Sequence, residues 1–187
     1  MKPQFKETRM LLTNMHILEI QPNEKELLSL AHSLYDNQDY DGAMMLYDKI
    51  LKKNPNNIDT LMSKASALRH RGKYPEAMRI YNKILKIQPK HIDALWCKAW
   101  MYSYEIRDHQ KAIPIVKKIL KIAPKSDDVI SDAAFKFAEC GEYAEAIKLA
   151  NETLDKYPDI IGARMNKLYW LISLMQEQKT EKDALAI

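Results

Sequence analysis

The chain has 187 residues, 47% of them apolar, and a formal charge of +4 spread over interspersed acids and bases. That length suits one ordinary domain with a sizeable core, and so modest a charge nominates neither a nucleic acid nor an acidic surface as partner. Two cysteines, Cys97 and Cys140, stand far apart with no CxxC or Cys/His grouping, which argues against a disulfide framework and for a reducing compartment.

The start carries early positive charge, but Thr13, Asn14 and His16 interrupt its apolar run, so it reads poorly as a signal peptide. No apolar stretch approaches the roughly 18 residues that suggest a membrane span. A soluble, cytoplasmic protein is expected. Glycine is scarce, helix-favouring Leu, Ile, Ala, Lys, Glu and Met are frequent, and no alternating apolar and polar run argues for strands. The expected class is all-α.

Residues 3–21 predict a lone helix, with Leu12, His16, Ile17 and Ile20 near helical spacing and Gln21-Pro22 as its stop. It reads as a cap or partial repeat shielding the unit that follows. In that unit, 24–57, Leu27, Leu30, Ala31 and Leu34 mark a first helix. Asp39 is placed to cap a second, whose stripe is Ala43, Tyr47, Ile50 and Leu51. Each helix is amphipathic, and an antiparallel pair buries both stripes but leaves side faces that need neighbouring pairs.

Residues 58–91 repeat the plan with Leu61, Ala65 and Leu68, then Gly72 in the turn, then Ala77, Tyr81 and Ile84. Glycine suits a helix C-terminus because it adopts the left-handed conformation cheaply. Small residues at Ala65 and Ala77 let two backbones approach, and a bulky replacement would cost roughly 1–3 kcal/mol. The third unit, 92–126, carries Leu95, Ala99, Tyr102, Ala112, Val116 and Ile119. It has one residue more than its neighbours, expected in the turn EIRDH, and Pro114 is expected to kink its second helix or delay its start.

The fourth unit, 127–160, opens on Ser126-Asp127-Asp128, which suits a helix N-terminus. Ala133, Ala134, Phe137, Gly141, Tyr143, Ala146 and Ala150 follow. A single capping helix, 161–178, carries Leu168, Leu171 and Met175, and 179–187 is expected to be a flexible tail. Segment ends recur as HILEIQP, KILKKNP, KILKIQP, KILKIAP and ETLDKYP, with Pro22, Pro55, Pro89, Pro124 and Pro158 standing 33, 34, 35 and 34 residues apart. That period is a signature of stacked supersecondary units.

The pattern resembles the tetratricopeptide repeat, with small residues at the eighth and twentieth positions, large ones at the eleventh and twenty-fourth, and proline at the thirty-second. Ala65, Leu68, Ala77, Tyr81 and Pro89 fit in the second unit, and Ala134, Phe137, Ala146 and Pro158 in the fourth. The resemblance implies a right-handed α-solenoid of antiparallel helix pairs, four full repeats with single capping helices at both ends. It also implies that the first helix of each pair lines a concave groove for a partner's peptide or helix. One version of the family grips a C-terminal carboxylate of a chaperone with Lys, Arg and Asn. The matching positions here hold Leu28, His32, Ser63, Asp93 and Cys97, or one repeat on, Met62, Ser66, Cys97, Asp128 and Asp132. Acids and apolar groups would meet the carboxylate, so that clamp is not supported.

The helix over 92–106 has two apolar stripes. Leu95, Ala99, Tyr102 and Ile106 are expected on its partner helix, while Trp96, Trp100 and Tyr104 lie about 100° round the axis. By the family's geometry the second stripe faces the groove. Equivalent positions in the first two units give His32, Tyr35, Met62, Arg69 and His70, and towards the end Phe135, Met165 and Tyr169. Asp59, Asp93, Asp128, Asp132 and Glu139 surround them. Trp, Tyr, Met and Arg are residues that interfaces favour, although the indoles also suit packing between repeats.

A non-enzymatic interaction scaffold is therefore expected, binding a peptide or helix of another protein. The rival is a structural subunit that self-associates, as a homodimer for example, through exposed aromatics or end helices. Lysines such as Lys49, Lys83 and Lys117 on the second helices keep RNA binding as a more remote reading, with no ordered basic and aromatic ladder to support it. No HExxH, phosphate loop or nucleophile elbow marks an enzyme, and no cofactor or metal is implied. His32 and His70 are placed to approach one another across neighbouring repeats, and Cys97, lacking an activating base, reads as a buried thiol.

Overall fold

The computed structural model describes residues 22–159 and 161–184. The helix expected over 3–21 lies outside them. The described residues form nine α-helices and one wide helical turn, with no strand among them. They pair as α1 Glu24–Asp36 with α2 Tyr40–Lys53, α3 Ile58–His70 with α4 Tyr74–Ile87, the wide turn Met101–Glu105 that continues α5 Ile92–Trp100 with α6 His109–Ile122, and α7 Asp127–Glu139 with α8 Tyr143–Lys156. The last, α9, runs Ile161–Ala184, beyond residue 178 where the sequence pattern was expected to end it. The fold is an all-α solenoid of antiparallel helix pairs.

Local chemistry starts these helices where the sequence places them. Asn23 and Glu26 form a reciprocal capping box on α1. Asp39, Asn57, Asp108 and Ser126 each accept a hydrogen bond from a first-turn amide of α2, α3, α6 and α7. In the turn after the first helix of each pair a residue is left-handed: Gln38, Gly72, Arg107 and Gly141.

Contacts divide the described residues into two compact units, one up to Ala94 and one from Leu95. In the first, α1 packs on α2, α2 on α3 and α3 on α4, with Ala31, Ala43, Tyr47, Ala65, Ala77 and Tyr81 wholly buried. The alanines are the contact points where helix backbones approach. In the second, α6 through α9 pack in sequence around Val116, Ala133, Phe137, Ala146 and Trp170.

The third repeat corrects one expectation. Its surplus residue is not in the turn. From N-cap to left-handed residue the count is 15 for Asn23 to Gln38, Asn57 to Gly72 and Ser126 to Gly141, but 16 for His91 to Arg107. The extra residue widens the helix itself into a π turn at Met101–Glu105, where the Ile106 amide donates to the Met101 carbonyl five residues back. The Asp108 amide reaches back six residues to Tyr102, where Lys73 and Glu142 reach back five to Leu68 and Phe137.

That widening rotates the last turn of its own helix. Leu95 and Ala99 are buried as expected, but Ile106 is 49% exposed, and Ser103 goes inward instead. Pro114 does not delay its helix: α6 keeps the 14 residues of α2, α4 and α8. Pro114 and Gln110, whose carbonyl loses its donor, are both exposed residues, on the side of the helix where a freed acceptor is cheapest to leave.

Candidate functional site

Three of the residues expected on the groove come together in the first unit. His32 and Tyr35 on α1 and Met62 on α3 line a cleft of about 310 Å³ between these two first helices. Asp36, Ser63 and Ser66 add polar groups, and Tyr47 reaches it from α2 behind. His32 Nε2 and Ser63 Oγ, 3.0 Å apart, tie the two walls. Tyr47 is wholly buried, and its hydroxyl makes no well-formed hydrogen bond among the described residues, the Ser63 hydroxyl being the group beside it. Burial pushes its phenol up to about 12, the nearby Ser63 hydroxyl pulling the other way and the Tyr35 and Asp36 charges adding to the rise.

His32 and His70 do not meet. His70 instead stacks on Tyr40 at 5.4 Å and takes the edge of Tyr35 at 5.6 Å, so Tyr35 belongs both to the cleft and to an aromatic trio at the α1–α2 turn. Arg69 is half-buried on α3 and is not among the cleft residues.

In the second unit the expected residues divide into packed and exposed. Trp96 is half-buried against the core formed by Ala99, Val116 and Phe137. Trp100, also half-buried, lies 5.1 Å from the ring of Tyr104. Tyr104 is 47% exposed, Phe135 49%, Met165 61% and Tyr169 66%. Phe135 sits edge-on to the buried Trp170 at 5.7 Å. Tyr104 is anchored by its hydroxyl, which donates to Glu139 Oε1, and by the Lys136 ammonium 4.4 Å from its ring centre. That hydrogen bond to a carboxylate, with burial second, raises its phenol to about 12.

Cys97 is half-buried rather than buried. Cys140 is held against Ser103 Oγ at 3.8 Å, and burial pushes its thiol up, away from reactivity. Among the described residues no group of three or more His, Cys, Asp or Glu is placed to hold a metal ion, and no helix is long and apolar enough to cross a membrane.

Asp36 and Tyr47 are cleft residues that the sequence did not place on the groove, whereas Ser63 and Ser66 are two of the positions matched to the carboxylate clamp. A signal existed for Tyr47. Tyr47 and Tyr81 hold equivalent places where Val116 and Ala150 stand in the later repeats, so a phenol tip there is peculiar to the first half of the chain.

A family model described as anaphase-promoting complex, cyclosome, subunit 3 matches residues 36–119, and one described as tetratricopeptide repeat matches residues 106–169. No curated protein matches the chain. Among solved structures, MamA superposes with a TM-score of 0.65 at 19% identity, over 85% of this chain and 86% of that one. A tetratricopeptide repeat protein from Parabacteroides merdae ATCC 43184 gives 0.71 at 21% identity, over 94% and 69%. Naa15/Naa10 bound to HypK-THB gives 0.63 at 24% identity, over 85% of this chain and 24% of that one. At such identities likeness establishes fold. The proline period, the buried alanines it spaces and the repeat-family match agree: the chain has the fold of tetratricopeptide repeat proteins, and a tetratricopeptide repeat model matches its residues 106–169.

Proposed function

We propose that the protein is a non-enzymatic scaffold whose first helices receive a peptide or helix of a partner protein. The observation that carries this is the cleft between α1 and α3, which collects His32, Tyr35 and Met62 on a surface of mixed aromatic, thioether and polar character. In the second unit, taken by itself, Tyr104 and Phe135 are also exposed aromatic side chains. Of the solved structures sharing the fold, Naa15/Naa10 bound to HypK-THB is a complex, which agrees with such a role.

Affinity capture with wild type beside the Trp96→Ala, Trp100→Ala variant tests the reading. The expected result is loss of captured partners while helicity by circular dichroism stays near wild type. Loss of the fold would instead make the indoles packing residues, and an unchanged set of partners would overturn their role in binding.

A specific feature favours self-association as the second reading. Met165, Leu168, Tyr169, Ile172 and Met175 are each 47–68% exposed along α9, at the i, i+3, i+4 spacing of one helix face. Size-exclusion chromatography with light scattering separates the two: a concentration-dependent dimer that Tyr169→Glu dissolves supports the subunit, and a monomer at all concentrations removes it.

A further inference from the structure

We infer that α9 pairs with α9 of a second copy of this chain, antiparallel and in one register, along a seam of Met165, Leu168, Ile172 and Met175. This rests on the self-association reading and gives it an interface. Met165 of one copy lies level with Met175 of the other, and Leu168 with Ile172.

The two faces of α9 differ in how they are covered. One is sewn to its own unit: α9 packs on α8, with Trp170 buried and Asn166, Lys167, Ser173 and Leu174 half-buried beside it. The opposite face holds the four seam residues and Tyr169, each 47–68% exposed. A helix apolar on both faces belongs to a buried setting, and the described residues cover only one face of this one. The five bare side chains leave about 600 Å² accessible on each copy, the upper end of what a monomer carries as one patch.

Spacing identifies what fits that face. From Met165 the steps are three, four and three residues, the alternation of a coiled-coil seam and not the broader stripe of a helix laid on a globular core. Such a seam is answered by a second helix of the same spacing. Among the described residues no other helix leaves two large apolar side chains exposed, so α9 itself is the match that the chain supplies. The order three, four, three is palindromic. Turning the second copy end for end therefore sets methionine against methionine and leucine against isoleucine, with no apolar position unmatched.

Charge chooses between the two directions. The next two positions of the same seam are Lys179 and Lys182. A parallel pair in register sets each lysine level with its own copy, crowding four like charges at one end, whereas the antiparallel pair keeps the two sets at opposite ends. Burying both bare faces removes roughly 1,200 Å² from water, the lower edge of a specific interface, and corresponds to a dimer that dissociates in the micromolar range.

The test uses the full chain. Sedimentation velocity should show a monomer–dimer equilibrium, with Ile172→Glu raising the dissociation constant roughly a hundredfold while helicity by circular dichroism stays unchanged. Direction is then read by cross-linking in a Cys97→Ala, Cys140→Ala background that sediments like wild type. On mild oxidation, a mixture of Met165→Cys and Met175→Cys chains should give covalent dimer, and neither variant alone should. Dimer from each variant alone makes the pair parallel, and a dimer indifferent to Ile172→Glu places the interface elsewhere. Either result overturns the seam and leaves self-association standing. A monomer at every concentration removes both, and a monomer whose captured partners are lost with Ile172→Glu gives this face to another protein and overturns the inference as well.

Discussion

Lys136 lies with its ammonium 4.4 Å from the centre of the Tyr104 ring and 2.6 Å from Glu139 Oε2, while the Tyr104 hydroxyl donates to the other oxygen of the same carboxylate. The lysine is only 7% exposed, so its charge is tolerated because the carboxylate and the aromatic face both compensate it. Glu139→Gln removes the compensation and should lower stability by about 1–3 kcal/mol. Adding Lys136→Met to that variant should recover most of the loss. Urea unfolding of the two single variants and the double variant checks both statements, and a double variant no better than Glu139→Gln would show that the lysine stem, not its charge, matters.

Tyr47→Phe should leave stability at neutral pH unchanged or raise it by up to about 1 kcal/mol, because the hydroxyl it removes is buried without a well-formed hydrogen bond. In alkali the effect is larger. The folded phenol titrates at about 12 against an ordinary 10.0, so between those values the folded chain keeps a proton that the unfolded chain releases. Its contribution is complete below about pH 10 and is lost as pH rises to about 12, by roughly 2–3 kcal/mol in all. Thermal melts across that window should fall less steeply in Tyr47→Phe than in wild type.

Gly72 and Gly141 sit at φ of +70° and +80° with no atom within 4 Å of an added Cβ. Alanine at either position should therefore lower stability by about 1–2 kcal/mol through backbone strain alone. Arg107 holds the same place at φ of 56°. Arg107→Gly should move the other way, by under about 1 kcal/mol, since relief of strain is offset by the extra freedom of glycine in the unfolded chain. Urea midpoints at constant m-value are the measurement.

Deleting Tyr102 while changing Ser103→Leu should convert the π turn to continuous α-helix and place a leucine where Leu34, Leu68 and Phe137 stand. The expected outcome is an unchanged far-ultraviolet spectrum and a thermal midpoint raised by about 2–4 °C. A fall in helix content would mean that the wide turn is needed by the packing around it.

The fold was legible because its determinants repeat. Ala65 and Ala77 could be assigned a packing reason from spacing alone, and Asp39 and Ser126 announced their helices by side-chain chemistry. Ile106 was misplaced because the count assumed 3.6 residues per turn throughout, and nothing in the run MYSYE distinguishes a π turn from an α turn. The cleft was half legible. His32, Tyr35 and Met62 follow from helix faces, whereas Tyr47 was read as one more member of an apolar stripe, since spacing shows that a ring goes inward but not that its oxygen ends without a well-formed hydrogen bond.

The surplus residue of the third repeat is absorbed upstream of Arg107, and from each left-handed residue to the following proline the interval is the same 17 positions, as in Gly72 to Pro89 and Arg107 to Pro124. Each segment from left-handed hinge to proline is thus an interchangeable cassette of fixed length. A one-residue insertion ahead of it is quarantined within its own helix, and later repeats keep their register.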